Sequence, residues 1–465
     1  MLTDIDSLVD RLAEGLDPSD IRTDADTRSE HARDSAPFCE VGDPAIVVFP
    51  RSTAQVQHVM RTASRMNVPV VPQGAQTGLA GAGAASEGCV VMNLREMNRI
   101  LAVDPANRTA AVEPGVTTRE LKEAASAAGL AYPPDPVSFN DCTIGGNIAT
   151  GAGGVCCVKY GVTADYVRKM TVVLADGSLM SMGADTVKNV AGINLMQLFI
   201  GSEGTLGIVV EATVALRPLP TDALGLLAQF PSTSSAGAAV AAIVAAGHTP
   251  SAMELMDATA TGAVSELGHP DLVDASATCL IVESDAPTKE EDVRAMAALC
   301  EESGASRVTV GSDSDTAERL LNARRMVPLA LREKAMSISP TAVSFIEDVA
   351  VPRTNLAQLI DEIEAVSERR GVWIATIGHA GDGNLHPIVV FDAEDPGQNR
   401  AAQAAYDDIM SAGLRLGGTI TGEHGVGTLK KEWLADQVDP LELAFMKGVK
   451  RMFDPQGILN PGKVL

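Results

Sequence analysis

Residues 72–84 read PQGAQTGLAGAGA and follow the short apolar run VPVV at 68–71. Glycine has no Cβ, so Gly74, Gly78 and Gly81 let backbone N–H groups come close to a ligand's phosphate oxygens. The stretch lacks the G-K-[ST] of a Walker A loop, and its spacing does not fit G-x-G-x-x-G opening a helix. Two readings stand at this point: a glycine-rich surface turn, or an anion nest built from main chain alone. The surroundings are those of a βα unit. A strand is expected over 45–49, stopped by Pro50, and Ser52 offers an N-cap to a helix running to about residue 65 before the strand at 68–71.

A second loop, PPDPVSFNDCTIGGNIATGAGG at 133–154, has three prolines and then a dense run of small residues. A stretch this long and this poor in charge lines a ligand or forms a small-residue packing seam. A third glycine-rich segment, GSEGTLGIV, spans 201–209. Residues 172–182 read as a hairpin turning at Asp176 and Gly177, and 206–216 as a long β run closed by Pro218 and Pro220. Residues 2–15 place Leu2, Ile5, Leu8, Val9 and Leu12 at helical spacing. Beyond residue 220 the texture changes. Alanine-rich helical stretches (235–246, 289–302, 313–331, 355–369) alternate with β runs (224–230, 279–283, 307–310, 342–349, 372–377), which predicts a helix-covered sheet. The main boundary falls near residue 219.

With 36 basic and 60 acidic residues in 465, the formal charge is −24. That excess repels nucleic acid and anionic membrane surfaces, so any anionic ligand needs a local host. Seven cysteines without a C-x-x-C pair suit a reducing compartment and argue against a disulfide framework. The acidic start, MLTDIDSLVDRL, carries no secretory signal, and the longest small-apolar stretch, 236–247, is too short to span a bilayer. These features lead to the expectation of a cytoplasmic protein with no transmembrane segment, with peripheral membrane docking left open.

Three of the seven histidines fall in two glycine-rich segments, GHAGDGNLHP at 378–387 and TGEHGVG at 421–427. The first follows the β run 372–377, so His379 and His386 are expected on a loop at a strand's end. With Glu423 they make two imidazoles and a carboxylate, a donor set that suits zinc, or manganese or iron, with a position left open. Glu423 and His424 are adjacent, so one can ligate while its neighbour faces substrate, and a histidine in that place fits a general base. Basic residues are scarce, so Arg324, Arg325, Lys430 and Lys431 stand out. Arg324 or Arg325 could clamp a carboxylate through two parallel N–H bonds, against the plainer reading of solvated helix-face charge.

Six motifs appear in order: VPQGAQTGLAGA, PPDPVSFNDCTIGGNIATGAGG, LFIGSEGTLGIV, GHAGDGNLHP, TGEHGVG and FDPQGILNPGK. Together, over about residues 36–465, they resemble the FAD-linked D-2-hydroxyacid dehydrogenases of the vanillyl-alcohol-oxidase superfamily. The resemblance implies an α+β protein with a bipartite PCMH-type FAD-binding domain and an α+β cap of antiparallel sheet covered by helices. The corresponding division is a helical segment at 1–35, the FAD domain at 36–219, the cap with its metal site at 220–440, and a tail at 441–465 returning to the FAD domain. It assigns FAD to Gln73, Gly74, Ala75, Gln76, Thr77, Gly78 and Leu79 in the first loop. The second contributes Pro134, Asp135, Thr143, Gly145, Gly146, Asn147, Ala149 and Gly153; the third, Glu203, Gly207 and Ile208; the tail, Asn460. His379, His386 and Glu423 match the family's metal ligands, His424 its base and Arg324 its substrate-carboxylate arginine.

Some positions depart from the pattern. Ala75 and Gln76 stand where many relatives carry glycine, and no histidine lies in that loop, so the flavin is expected to be non-covalent. Relatives that handle a second carboxylate tend to carry Lys and Asn where this chain has Ile346 and Ile388. That favours D-lactate or glycolate over D-2-hydroxyglutarate. The implied partners are the hydroxyacid and an electron acceptor such as quinone, cytochrome or electron-transfer flavoprotein, with a homodimer allowed. A flavin-free zinc hydrolase leaves the glycine loops unexplained, and a non-catalytic flavin subunit leaves the histidine cluster unexplained.

Overall fold

The computed structural model describes residues 5–269, 271–272 and 274–465. Contacts divide the chain into two units. The first comprises residues up to Gly153, Gly161–Leu219 and Glu423–Leu465; the second comprises Gly154–Tyr160 and Pro220–Gly422.

In the first unit, β1 (Ile21–Arg22), β2 (Ile46–Val48), β3 (Val70–Gln73) and β4 (Val90–Asn93) form a sheet in the order β1-β2-β4-β3. Strands β2, β4 and β3 run parallel. Parallel strands need a crossover, and helix Thr53–Met66 carries the chain from β2 to β3, with β4 between them in the sheet. Ser52 caps that helix as expected, accepting from the Gln55 N–H at 3.4 Å. The N-terminal helix, Ile5–Ala13, buries Leu8 and Leu12 in the same core, while Leu2 lies outside the described residues. A second, antiparallel sheet joins β5 (Ile100–Asp104), β6 (Thr109–Val112), β8 (Val167–Val173), β9 (Leu179–Gly183) and β10 (Ile208–Ala215) in the order β5-β6-β10-β8-β9. Beside it β7 (Leu130–Ala131) pairs with β11 (Arg217–Pro218). The β8–β9 hairpin turns where expected: Asp176 accepts from the Ser178 N–H at 2.8 Å, and Gly177 takes φ +79°.

The chain's last segment returns to this unit. Leu459 bridges Val70 in parallel, and the Asn460 N–H donates to Val70 O at 2.8 Å. Lys450 Nζ gathers Thr205 O, Asp454 and Leu459 O within 2.7 Å. The return begins at Glu423, ahead of the expected 441, because Glu203 takes the N–H groups of Val426 and Gly427.

The second unit is a single antiparallel sheet under helices. Its strands are β12 (Leu224–Phe230), β13 (Ala252–Met256), β14 (Thr278–Ser284), β15 (Arg307–Val310), β16 (Ala342–Ile346), β17 (Val349–Ala350), β18 (Trp373–His379) and β19 (Asn384–Asp392). Their order is β15-β12-β14-β13-β18-β19-β16, with β17 also on β19. Register sets which side chains share a face, because strand residues alternate. Glu254 pairs with His379, Ile377 with His386, and Ile388 with both Ala375 and Ile346. Glu254, His379, His386, Ile388 and Ile346 therefore share one face. Helices Ala258–Glu266, Ser314–Arg325 and Val327–Ile338 cover that face through Ala260, Val264, Leu320, Ala323, Val327 and Ala330. The single helix expected over 313–331 is two, with Pro328 in the first turn of the second.

Candidate active site

The first glycine loop is held by its own side chains. Gln73 is buried, and its Nε2 donates to His31 O at 2.8 Å and Gly83 O at 2.7 Å. Gln76 takes φ +60°, and its Nε2 reaches Glu30 O at 3.0 Å and Arg33 O at 2.7 Å. These contacts spend the side-chain amides on loop shape. Among the described residues, none of the six backbone N–H groups from Gly74 to Leu79 donates to a protein acceptor. Unmet donors on a half-buried loop are what an anion nest requires.

The second loop closes on the first. A Cβ on Gly74 would lie 2.4 Å from Thr143 Oγ1. Thr143 caps helix Ile144–Thr150 by accepting from the Gly146 N–H at 3.2 Å, and a Cβ on Gly145 would lie 2.5 Å from Pro114 Cβ. Asn147 is buried and donates to Thr118 Oγ1 at 2.7 Å; Asp135 pairs with Lys122 at 2.6 Å; Pro134 is buried beside it. Glu203, at φ +52°, receives Val426 N–H at 2.6 Å and Gly427 N–H at 2.8 Å, and its own N–H donates to Ala149 O. Burial pushes its carboxyl up to about 7, against those two donors. Gly207 packs tightly under Phe199, and Ile208 opens β10 in the core. Asn460 Nδ2 joins Ala82 O and Glu203 O at 2.9 and 2.7 Å, while its buried Oδ1 has no hydrogen-bond partner. Gly153 abuts Glu423: a Cβ there would lie 2.5 Å from Glu423 Oε2. His424 Nε2 lies 4.0 Å from Glu423 Oε1.

In the second unit, His379 closes β18 and His386 lies inside β19, not on a loop as expected. The turn between them is short enough for the ladder to run to His379 paired with Asn384. Both rings are buried, 5.2 Å apart between centroids and nearly perpendicular at 82°. His379 Nδ1 meets Glu254 Oε1 at 2.6 Å, and His386 Nδ1 meets Glu347 O at 3.2 Å. Carboxylate and carbonyl only accept, so each Nδ1 carries a proton, the tautomer in which a neutral imidazole keeps its lone pair on Nε2. Asp348 accepts from Thr421 Oγ1 at 2.6 Å and Gly422 N–H at 2.8 Å, anchoring the start of TGEHGVG. Of the two candidate arginines, Arg324 is buried, with Nε 3.2 Å from Glu254 Oε2, and Arg325 is exposed beside Glu318. Lys430 is buried in the first unit, and Lys431 reaches Gly462 O there.

Residues 44–183 match the family described as FAD binding domain, and residues 219–464 match FAD linked oxidases, C-terminal domain. The chain is 38% identical to the glycolate oxidase subunit GlcD of Bacillus subtilis, over 90% of this chain and 89% of that one. It is 35% identical to the D-2-hydroxyglutarate dehydrogenase of Stutzerimonas stutzeri, over 98% of each. The chain belongs to the FAD-linked D-2-hydroxyacid dehydrogenases. Its α+β fold, a PCMH-type FAD-binding domain with an antiparallel cap, also appears in the 4-ethylphenol oxidase of Gulosibacter chungangensis. There the TM-score is 0.80 at 21% identity, over 100% of this chain and 98% of that one.

For an FAD-linked D-2-hydroxyacid dehydrogenase, the unmet amides of 74–79 and the orphaned Asn460 Oδ1 fit a polar cofactor carrying phosphate. The donor set of His379 and His386, with both Nδ1 atoms engaged, fits a metal held through Nε2. Sequence reasoning missed Glu254 and Glu347 as partners of those rings. Glu254 was findable as the lone charge in the fully buried run AMELM; Glu347 acts through its carbonyl, which leaves no trace in sequence. Among the described residues, no helix is long and apolar enough to cross a membrane.

Proposed function

We propose that this dehydrogenase oxidises a small D-2-hydroxyacid, D-lactate or glycolate, to the 2-oxo acid. The reading includes non-covalent FAD and a divalent metal, zinc or else manganese or iron, held by His379, His386 and Glu423. When bound, FAD supplies the acceptor for the C2 hydride, and the metal supplies a Lewis acid for the hydroxyl. The chain's own residues do the rest. Arg324 binds the substrate carboxylate, little screened by water because the residue is only 7% exposed. His424 takes the hydroxyl proton on an imidazole nitrogen as the C2–H bond breaks. Glu423 supplies the third ligand, and Asp348 steadies the segment leading to it. Electrons then pass to quinone, cytochrome or an electron-transfer flavoprotein.

The observation that carries the reading is the imidazole pair with both Nδ1 atoms bonded, on the same sheet face as Glu254, the neighbour of Arg324. For the substrate's side group, Ile346 stands opposite Ile388 across β16 and β19 and offers no donor to a second carboxylate. D-2-hydroxyglutarate is the second reading, favoured by the relative of that name matched over 98% of both chains. Anaerobic bleaching of the yellow enzyme across D- and L-2-hydroxyacids separates them. D-lactate or glycolate should bleach fastest; preference for D-2-hydroxyglutarate would replace the first reading with the second.

A further inference from the structure

Glu254 is the one charged residue in β13, whose five residues are all buried, and it is itself 0% exposed. Its two oxygens face different partners. Oε1 lies 2.6 Å from His379 Nδ1, and Oε2 lies 3.2 Å from Arg324 Nε, an ion-pair distance without hydrogen-bond alignment. The pairing of Glu254 with His379 follows from the β13–β18 register, while Arg324 arrives from the end of helix Ser314–Arg325 on the same face. Stability does not account for this arrangement. Replacing a buried ion pair by well-packed apolar residues is often neutral or stabilising, and the site is surrounded by the apolar core of the cap.

We propose that Glu254 is a positioning residue that sets the metal-facing imidazole and the substrate-facing guanidinium with one carboxylate. Through Oε1 it holds the Nδ1–H tautomer of His379 and raises the ring's basicity, so that Nε2 faces the metal. Through Oε2 it neutralises Arg324 from the Nε side, leaving the terminal N–H groups for a substrate carboxylate. One carboxylate then fixes the spacing between the two grips on the substrate. This inference rests on the assignment of His379 to the metal and Arg324 to the carboxylate.

The test uses the FAD-loaded enzyme and two measurements: zinc affinity by chelator competition, and KM and kcat for the preferred hydroxyacid. Glu254→Gln keeps the shape and one acceptor, but its amide N–H₂ must face either His379 Nδ1–H or Arg324. It should weaken zinc about 10–100-fold and raise KM about tenfold or more, with FAD content unchanged. Arg324→Met should raise KM and leave zinc bound at least as tightly as in the wild type, since Glu254 keeps its bond to His379 and a cation near the metal is gone. If Glu254→Gln does not fold, Glu254→Asp decides: its shorter side chain draws the carboxylate back from His379 and should weaken zinc in the same direction. Wild-type zinc affinity in a folded Glu254 variant overturns the proposal. His379→Ala and His386→Ala distinguish the two failures: if they too keep wild-type zinc affinity, it is the metal assignment that falls, whereas loss of zinc there with normal binding in Glu254→Gln refutes Glu254 alone.

Discussion

Asn460 Nδ2 joins two carbonyls from distant stretches, Ala82 O and Glu203 O, while its Oδ1 stays buried without a partner. The same division of labour recurs at Gln73 and Gln76, whose side chains shape a loop in which the main-chain donors from Gly74 to Leu79 meet no protein acceptor. The sequence offers these positions as candidate flavin contacts and is silent on which atom of each the fold itself uses. Gly427 shows the steric side of the same economy: it takes φ +52°, and a Cβ there would lie 1.9 Å from Ala80 O. At this scale the sharpest expectation concerns His424. His424→Ala should keep FAD, read from the visible absorbance, and lose about 10²–10⁴-fold in turnover, the usual worth of a general base. Turnover near wild type would remove His424 from that role.

Among the elements, long apolar runs bounded by breakers are legible in the sequence, and short or alanine-diluted ones are not. Strand β12 was expected at its observed bounds, and the helix from Ser52 within a residue of its end. Strand β13 escapes the sequence because AMELM is only five residues long and interrupted by Glu254, and the helix Pro396–Arg415 because its pattern is diluted by alanine. The glycines between His379 and His386 read as a loop in the sequence, and the structure makes them a tight hairpin between β18 and β19. That helix also carries a testable ion pair. Asp408 sits between Arg369 and Arg370 of helix Leu356–Arg370, which hold its carboxyl down to about 2. A carboxyl lowered on folding stabilises the protein above its unfolded value near 3.8 and loses that contribution as pH falls toward 2. Asp408→Asn should therefore cost stability at pH 7, about 0.5–1 kcal/mol for so exposed a pair. In urea titrations the difference from wild type should vanish near pH 2.

On the whole-molecule scale, the acid excess and the anionic ligands are reconciled by main chain and by a few buried cations. The first unit is assembled from three separated stretches of sequence, and its last stretch contributes Asn460 beside β3. FAD binding to that unit adds to its stability by mass action: at about 100 times Kd the gain is about 2.7 kcal/mol. Stripping FAD should lower the melting temperature seen by calorimetry, and titrating it back should restore the value progressively. A melting temperature indifferent to FAD would mean the loops do not bind it in the folded state.

The six motifs by themselves determined the family, the cofactor class and the candidate residues, because glycine loops, paired histidines and their order are local chemistry written along the chain. Only the tertiary structure decided that Arg324 is the buried arginine and Arg325 the exposed one. It alone decided that Glu254 stands between Arg324 and His379, and that Ile346 faces Ile388. Those facts depend on strand register and on which turn of a helix meets the sheet. A one-residue slip in either reverses them, while the residue types stay the same.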